Sequence, residues 1–574
     1  MSAVAAAVLP APAAPRLRWS RDELIARGML LLVMALLVIF LLAPLWSILV
    51  HAVLDQDGHF VGLTHFMTYF RTPSLLRAAW NSVWVAAVVA LISVPVAFIC
   101  AYALTRACLP APFKTTVRLI ALIPLLAPSL LSAMSFVQWF GNQGVLKFLL
   151  GGASIYGAPG MILAEVYNTF PHALMILITA LSLADGRLYE AATALRTPVW
   201  RQFFTITLPS CKYGLISACT VVFTYVVSDF GAPKVIGGNF NVLAVDVYKQ
   251  VVGQFNFSMG AVVGLLLLVP SIVSFTIDYR VRRQIKAQLT ARSVPYAPKP
   301  SRLRDTLLAL FCALVCGLLL ATVGMALYTS VIKLWPYNLT FTLAHYHFVL
   351  VESDMASAYT NSLKVALCAA VGGSLIVFLG AYLIEKTRGL GWMRRVMHLM
   401  AMLSMAVPGL VLGLGYVMFF NHPANPLNGL YQTMAILVIS MVVHYYTSSH
   451  LTAVTALQQI DNEFEAVSAS LKVPFFKTFV RVTMPVCLPA ILDIGRYFFV
   501  VSMASLSCAI FIYAPETILA SVAIIQLNEA GYIGPAAALA SLIVLTSTAV
   551  CIAYALVTRL LLARTQAWRY LRSN

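Results

Sequence analysis

Long apolar runs without a charged residue alternate along this chain with short polar segments rich in Lys and Arg. In the first half the runs are read at Gly28–Ala52, Ser82–Leu104, Leu119–Phe140, Met161–Leu183, Tyr213–Gly231 and Gly260–Tyr279. In the second half they are read at Leu307–Ile332, Leu363–Ile384, His398–Phe420, Met434–Leu457, Ile491–Tyr513 and Pro535–Leu562. A helix needs roughly 20 apolar residues to cross a bilayer. Runs of this length and continuity are too long for the strands of a membrane barrel, and only helices and closed barrels satisfy their backbone in lipid. The pattern predicts an all-α membrane protein of about 12 transmembrane helices.

The two sets of runs repeat one another. Asn81-Ser82 recurs as Asn361-Ser362, Ala101-Tyr102 as Ala381-Tyr382, Pro128 as Pro408 and Phe140 as Phe420, every pair separated by the same interval. Further on, Pro209 recurs as Pro485 at a slightly shorter interval. A small register slip of this kind between repeats falls in a loop. The expected organisation is a basic Ala/Pro-rich tail (1–27), a first six-helix repeat (28–280), a basic linker (281–305), a second six-helix repeat (306–563) and a short tail (564–574). An even number of spans per repeat makes the halves parallel. No small-residue cleavage site follows a short apolar core near the start, so the first run reads as a retained span and not a signal peptide.

Composition fits. The chain is 61% hydrophobic and 10% charged, and a soluble domain this apolar could not cover its surface. The net charge of +18 raises nucleic-acid binding, but position argues against it. Most Lys and Arg fall in segments that share one side if the helices alternate, which is the positive-inside bias that sets topology. Both termini are expected on that cytoplasmic side of a bacterial inner (plasma) membrane. The ten Cys form no Cys-x-x-Cys pair and mostly sit in apolar runs, as small buried hydrophobes do.

No phosphate-cradling Gly-x-x-x-x-Gly-Lys-Ser/Thr, His-Glu-x-x-His or Gly-x-Ser-x-Gly occurs. No catalytic residue, metal site or bound cofactor is expected, and any ATP hydrolysis falls to another polypeptide. Chemistry concentrates between the fourth and fifth run of each half. The first copy runs from Glu190-Ala191-Ala192 through Leu195-Arg196 and Pro198 to Pro209. The second runs from Glu465-Ala466 through Leu471-Lys472 and Pro474 to Pro485. Each starts as a short helix and continues through an aromatic, basic stretch. An amphipathic interfacial helix would explain one copy. Two copies at equivalent places call for a shared job.

These segments resemble the cytoplasmic coupling motif of permeases in bacterial binding-protein-dependent ABC importers, Glu-Ala-Ala followed by a Gly, an apolar residue and Pro. Arg196 and Lys472 stand where that family has Gly, so the helix is expected to continue there or to turn differently. The resemblance covers both halves. It implies two tandem type I importer repeats, two copies of a partner ATPase that uses ATP and Mg, and a substrate-binding protein outside the membrane. Glu190 and Glu465 would meet basic groups on the ATPase or cap their own helices. Within the family, Glu463–Pro474, Pro485–Asp493 and Ile512–Ala523 are similar to permeases for 2-aminoethylphosphonate. Ser228–Pro233 is shared with iron(III)-type permeases. The expected cargo is therefore 2-aminoethylphosphonate, with ferric iron, thiamine or a polyamine-like solute as the alternative. Ferric iron prefers hard oxygen ligands, and no carboxylate/tyrosine cluster is evident from spacing.

Ionisable and polar groups inside spans are costly and often line pathways. The candidates are Asp229 on the fifth run, His444 and Tyr445 on the tenth, and Asp493 and Arg496 on the eleventh. Asp493 and Arg496 share a helix face and are expected to neutralise one another. Arg496 with Asp229 or Asp493 could also hold a zwitterion. Glu165, Asn168 and His172 lie on the fourth run, Glu165 near its outer end. A secondary transporter would also place its site between repeats, but the duplicated segment is not needed there, and mid-depth helix breaks at Gly or Pro are not prominent.

Overall fold

The computed structural model describes residues 21–55, 57–288, 294, 296–352, 355–387, 391–461 and 463–565. Most of the two stretches read as tails lies outside them. The described chain is almost entirely helical, and one short hairpin pairs Ile332–Leu334 with Asn338–Phe341. Eight helices are long and apolar enough to cross a membrane, and four sharply bent helix pairs bring the total to twelve if each pair is one span. This is an all-α membrane protein built of two repeats.

The bent pairs revise the expected continuity. The third and ninth runs break by 101° and 108°, between Leu126 and Ser129 and between Ala406 and Gly409. Pro128 and Pro408 sit at the breaks with ψ 145° and 140°. Proline offers no N–H and pushes the residue before it out of the helical region. Ala127 and Val407 are accordingly extended. Pro-induced breaks are therefore a paired feature of the fold. The eleventh run also differs. Its helix stops at Ala504, and turns occupy much of the stretch to Tyr513.

Pro209 and Pro485 break nothing by themselves. Each follows a single wide helical turn, Phe203–Thr207 or Phe479–Thr483. Hydrogen bonds of the π type in such a turn reroute the ladder around the missing donor. In the second copy a further bend of 76° follows at Cys487.

The halves interlock through their first helices. The helix from Arg21 lies on the second half, where the Tyr416 hydroxyl donates to the Phe40 carbonyl at 2.7 Å and the Phe40 and Phe420 rings stack at 5.7 Å. A Cβ on Gly415 would come within 2.8 Å of the Pro44 carbonyl oxygen, so the crossing is a close approach to backbone. Reciprocally, the Arg302–Ser330 helix packs on the first half, and Trp139 Nε1 donates to its Ala321 carbonyl at 3.3 Å.

Candidate partner surface and transport pathway

In the first copy of the duplicated segment a short helix, Gly186–Ala194, is capped by Asp185, whose carboxylate accepts from Arg187 N–H at 3.1 Å. In the second copy Asp461 accepts from Glu463 N–H at 3.1 Å at the start of Glu463–Ser470. An Asp at this position satisfies one of the orphan N–H groups of the first turn. The caps are thus Asp185 and Asp461. Glu190 is not a cap but an exposed residue inside its helix. Glu465 lies in the first turn of its helix and pairs with Lys386 at 3.5 Å, largely shielded from water.

The basic residues at the family's Gly position do not extend the helix. Arg196 and Lys472 adopt left-handed φ angles of 50° and 53°. Each helix ends in the same hydrogen-bonded turn, with Thr197 N–H reaching the Ala192 carbonyl and Val473 N–H the Ser468 carbonyl, both at 2.9 Å. This six-to-one bond defines a Schellman ending, which requires a left-handed residue just past the helix. The geometry suited to Gly is kept without the Gly.

Beyond these turns the chain projects apolar side chains. Leu195 is 80% exposed and Leu471 70% exposed, and Trp200, Phe204, Phe476 and Val480 are exposed too. Ala192 is buried against the bundle, whereas Ala191 and Ala466 face outward. Apolar surface concentrated on a short projecting element marks a contact site for another protein.

Each segment is fastened to the bundle by a basic residue that sequence reasoning did not single out. Arg106 and Lys386 are separated by the same interval as the repeated Asn-Ser pairs. Arg106 Nη2 donates to the Leu181 carbonyl at 2.8 Å, and its guanidinium lies over the adjoining rings of Tyr189 (4.8 Å) and Tyr296 (4.3 Å). Lys386 Nζ donates to the Ile460 carbonyl at 2.9 Å in addition to its pairing with Glu465. Each lies just at the end of its second run, and the repeat interval was the available signal. The linker and the first turn of the first helix complete the fastening. Gly186 N–H donates to the linker's Val294 carbonyl at 2.8 Å, and Phe475 N–H donates to Asp22 at 3.3 Å.

The candidate pathway residues divide, and Asp493 and Arg496 lie on an exposed face. Asp493 and Arg496 form an ion pair at 2.5 Å, and Arg496 also reaches Cys551. Asp229 does not join them. It ends the Leu208–Ser228 helix, accepts from Ala232 N–H at 3.0 Å, and is approached by the Ser129 hydroxyl and by Glu165. Glu165 is 1% exposed, and neither of its oxygens finds a hydrogen-bond donor. The expected interfacial setting for Glu165 is thus replaced by a buried one. The His172 and Tyr225 rings lie 4.9 Å apart. In the second half His444 packs on Tyr445 at 4.6 Å, and Tyr445 lies 6.0 Å from Tyr497. Tyr445 has Tyr225 and Tyr497 as electrostatic neighbours, so the two groups meet across the seam between the halves. Lys234 and Glu529 bridge the same seam at 2.7 Å nearer its other end, beside the Tyr248–Phe511 ring contact at 6.3 Å.

Two tandem helical repeats, each with a capped projecting helix at the same end, define a duplicated membrane transport component. Residues 93–287 and 372–563 match the family of binding-protein-dependent transport system inner membrane components, one match per repeat. The chain belongs to that family. It is a fused double permease of an ABC importer, a multi-pass inner-membrane protein, and permease subunits of this kind are not themselves enzymes. A ferric transport system permease protein of Actinobacillus pleuropneumoniae is 24% identical over 549 residues, spanning 93% of this chain and 78% of that one. A thiamine transport system permease protein of Escherichia coli K12 is 25% identical over 404 residues, spanning 68% and 70%. Among solved structures, a bacterial ABC transporter involved in the import of alginate is similar at 18% identity and a TM-score of 0.37, over 46% of this chain and 96% of that one.

Proposed function

We propose that this chain forms the translocation pathway of an ATP-driven importer whose cargo is ferric iron. The supporting observation is the pairing of a likeness to a ferric transport permease over 93% of this chain with two fastened, apolar-tipped helices. Each helix docks on one of two copies of an ATPase, which supplies the ATP and Mg chemistry. A substrate-binding protein delivers cargo at the opposite face, as the family's name implies. The termini and both docking helices lie on the cytoplasmic side, where the Lys- and Arg-rich segments gather.

The 2-aminoethylphosphonate reading rests on segment likeness alone. The zwitterion site imagined for it also loses support, because Arg496 is engaged by Asp493 and Asp229 by other groups. Uptake into proteoliposomes holding the chain, its ATPase and its binding protein tests the proposal. ATP-dependent uptake of ferric iron that disappears in the Glu190→Ala, Glu465→Ala double variant, with the complex still assembled, supports cargo and coupling together. Uptake of 2-aminoethylphosphonate or thiamine in place of iron overturns the cargo.

A further inference from the structure

We infer that the seam between the two halves carries a hard-cation site, formed by the carboxyl groups of Glu165 and Asp229 and the phenols of Tyr225, Tyr497 and Tyr445. The inference rests on the ferric reading and adds where, inside the bundle, the cation pauses.

Three observations carry it. Glu165 is an acid buried at 1% exposure, with no donor on either oxygen, and the group it faces is a second carboxyl, Asp229. No Lys or Arg among the described residues is paired with either acid, and ionisable groups held inside a membrane without such a partner often mark an ion path. Glu165 also lines a small enclosed cavity with Ser82 and Val226. An acid lining such a cavity, with a second acid facing it from outside the lining, suits a positive charge that comes and goes.

Next, the phenols continue from the acids across the seam. Tyr225 has Asp229, Glu165 and Tyr497 as electrostatic neighbours, and Tyr445 has Tyr225 and Tyr497. The first half supplies the acids and one phenol, and the second half supplies two phenols. No segment of sequence holds them together, since Glu165 and Tyr497 belong to different repeats.

Finally, the tyrosine side chains are partly accessible. Tyr225 keeps 37% of its surface accessible. Tyr445 and Tyr497 are half-buried in the same way.

Carboxylate and phenolate oxygens are the donors that a small, highly charged cation prefers to thiolate, thioether or amide groups. A phenol binds such a cation by releasing its O–H proton to water as the metal–oxygen bond forms, so each bound phenolate removes one unit of excess positive charge. Weak, several-membered sites of this kind let an ion enter and leave again.

The test uses the full chain in lipid nanodiscs, titrated with ferric nitrilotriacetate. Binding at the site produces a visible tyrosinate-to-iron charge-transfer band. The Tyr225→Phe, Tyr497→Phe double variant is expected to lose the band. Glu165→Gln, which keeps size and shape, is expected to weaken iron binding by tenfold or more while the protein still elutes as a monodisperse species. In the complete transporter, the same Glu165→Gln change is expected to cut iron uptake at least tenfold with ATPase activity retained. A wild-type complex that takes up iron while the chain shows no band, or while both variants transport normally, overturns the site and leaves the cargo standing. A wild-type complex that takes up no iron overturns the cargo, and the site falls with it.

Discussion

The Ser82 hydroxyl oxygen accepts a hydrogen bond from Leu243 N–H at 2.8 Å, and its repeat counterpart Ser362 accepts from Ala520 N–H at the same distance. The neighbouring asparagines act in parallel. Asn81 donates to the Asn241 carbonyl at 2.9 Å, and Asn361 to the Glu516 carbonyl at 2.9 Å. The repeated Asn-Ser pair is an anchor that ties the second run of each half to the loop after its fifth helix. Ser82 and Ser362 are both buried, so removing either hydroxyl leaves a buried N–H without its partner. Ser82→Ala and Ser362→Ala are each expected to cost about 1–3 kcal/mol. The check is thermal unfolding in detergent, and equal losses in the two halves are the expected signature.

The left-handed turns at Arg196 and Lys472 make an unusual prediction. A side chain in this region costs about 1 kcal/mol that Gly avoids. Arg196→Gly and Lys472→Gly are expected to leave the fold intact and to raise its melting point slightly. Arg196→Val, β-branched in the same turn, is expected to lower it. An Arg196→Gly variant that unfolds earlier than the parent would show the basic side chain to be holding the turn.

Arg106 and Lys386 hold equivalent places by different means, so exchanging them is not symmetrical. A Lys at 106 keeps the charge but loses the flat guanidinium that lies over two rings. Arg106→Lys is expected to loosen the linker at Tyr296 and speed tryptic cleavage after Arg302, the nearby basic residue not followed by proline, severalfold. Lys386→Arg is expected to leave that cleavage rate unchanged, because its contacts lie in the other half.

Asp246 lies outside the candidate spans on the short Leu243–Tyr248 helix, buried near Tyr69. Burial pushes its carboxyl up to about 6, against a smaller opposing pull from Lys249. The sign follows. A raised acid favours the folded state below its unfolded value of 3.8, and that advantage disappears as pH rises through about 6. Asp246→Asn removes the ionised form. It is expected to raise the melting temperature clearly at about pH 8 and hardly at about pH 4. A gain of equal size at both ends of the range would contradict this assignment.

The crossing of the first helix over the second half depends on Gly415. A Cβ there meets the Pro44 carbonyl oxygen at 2.8 Å, and backbone cannot give way as a flexible side chain can. Gly415→Leu is expected to lower the melting point by several degrees, a cost of about 1–3 kcal/mol for overpacking. Gly28→Leu, at a position with open space around it, serves as the control and is expected to have little effect.

Much of the architecture was legible in the sequence because lipid imposes length and duplication imposes position. Twelve runs, their grouping and the two projecting segments could be read from apolar stretches and one constant offset between the halves. The helix breaks were less legible. Pro128 and Pro408 were visible, but Pro209 is also a proline and sits in continuing helix, so residue type alone does not say which will bend. The pathway was the least legible. Asp229, His444 and Tyr445 stood out as polar residues in apolar runs. Tyr225 and Tyr497 did not, since a tyrosine inside a span is ordinary until the other half is seen facing it. Their partnership is tertiary and leaves no periodic trace. No carboxylate/tyrosine cluster is evident from spacing, and the grouping proposed above joins residues from both halves.

One chain supplies both walls of the seam, and the walls are not copies. At the interval that relates Pro209 to Pro485, Glu165 has Met441 as its counterpart and Tyr497 has Val221. In an assembly of two identical subunits every substitution is made twice, and an acid on one wall forces an acid on the other. Covalent fusion releases that constraint. Either wall can be altered singly, so the contribution of each face to what passes between them is separable by ordinary point mutation.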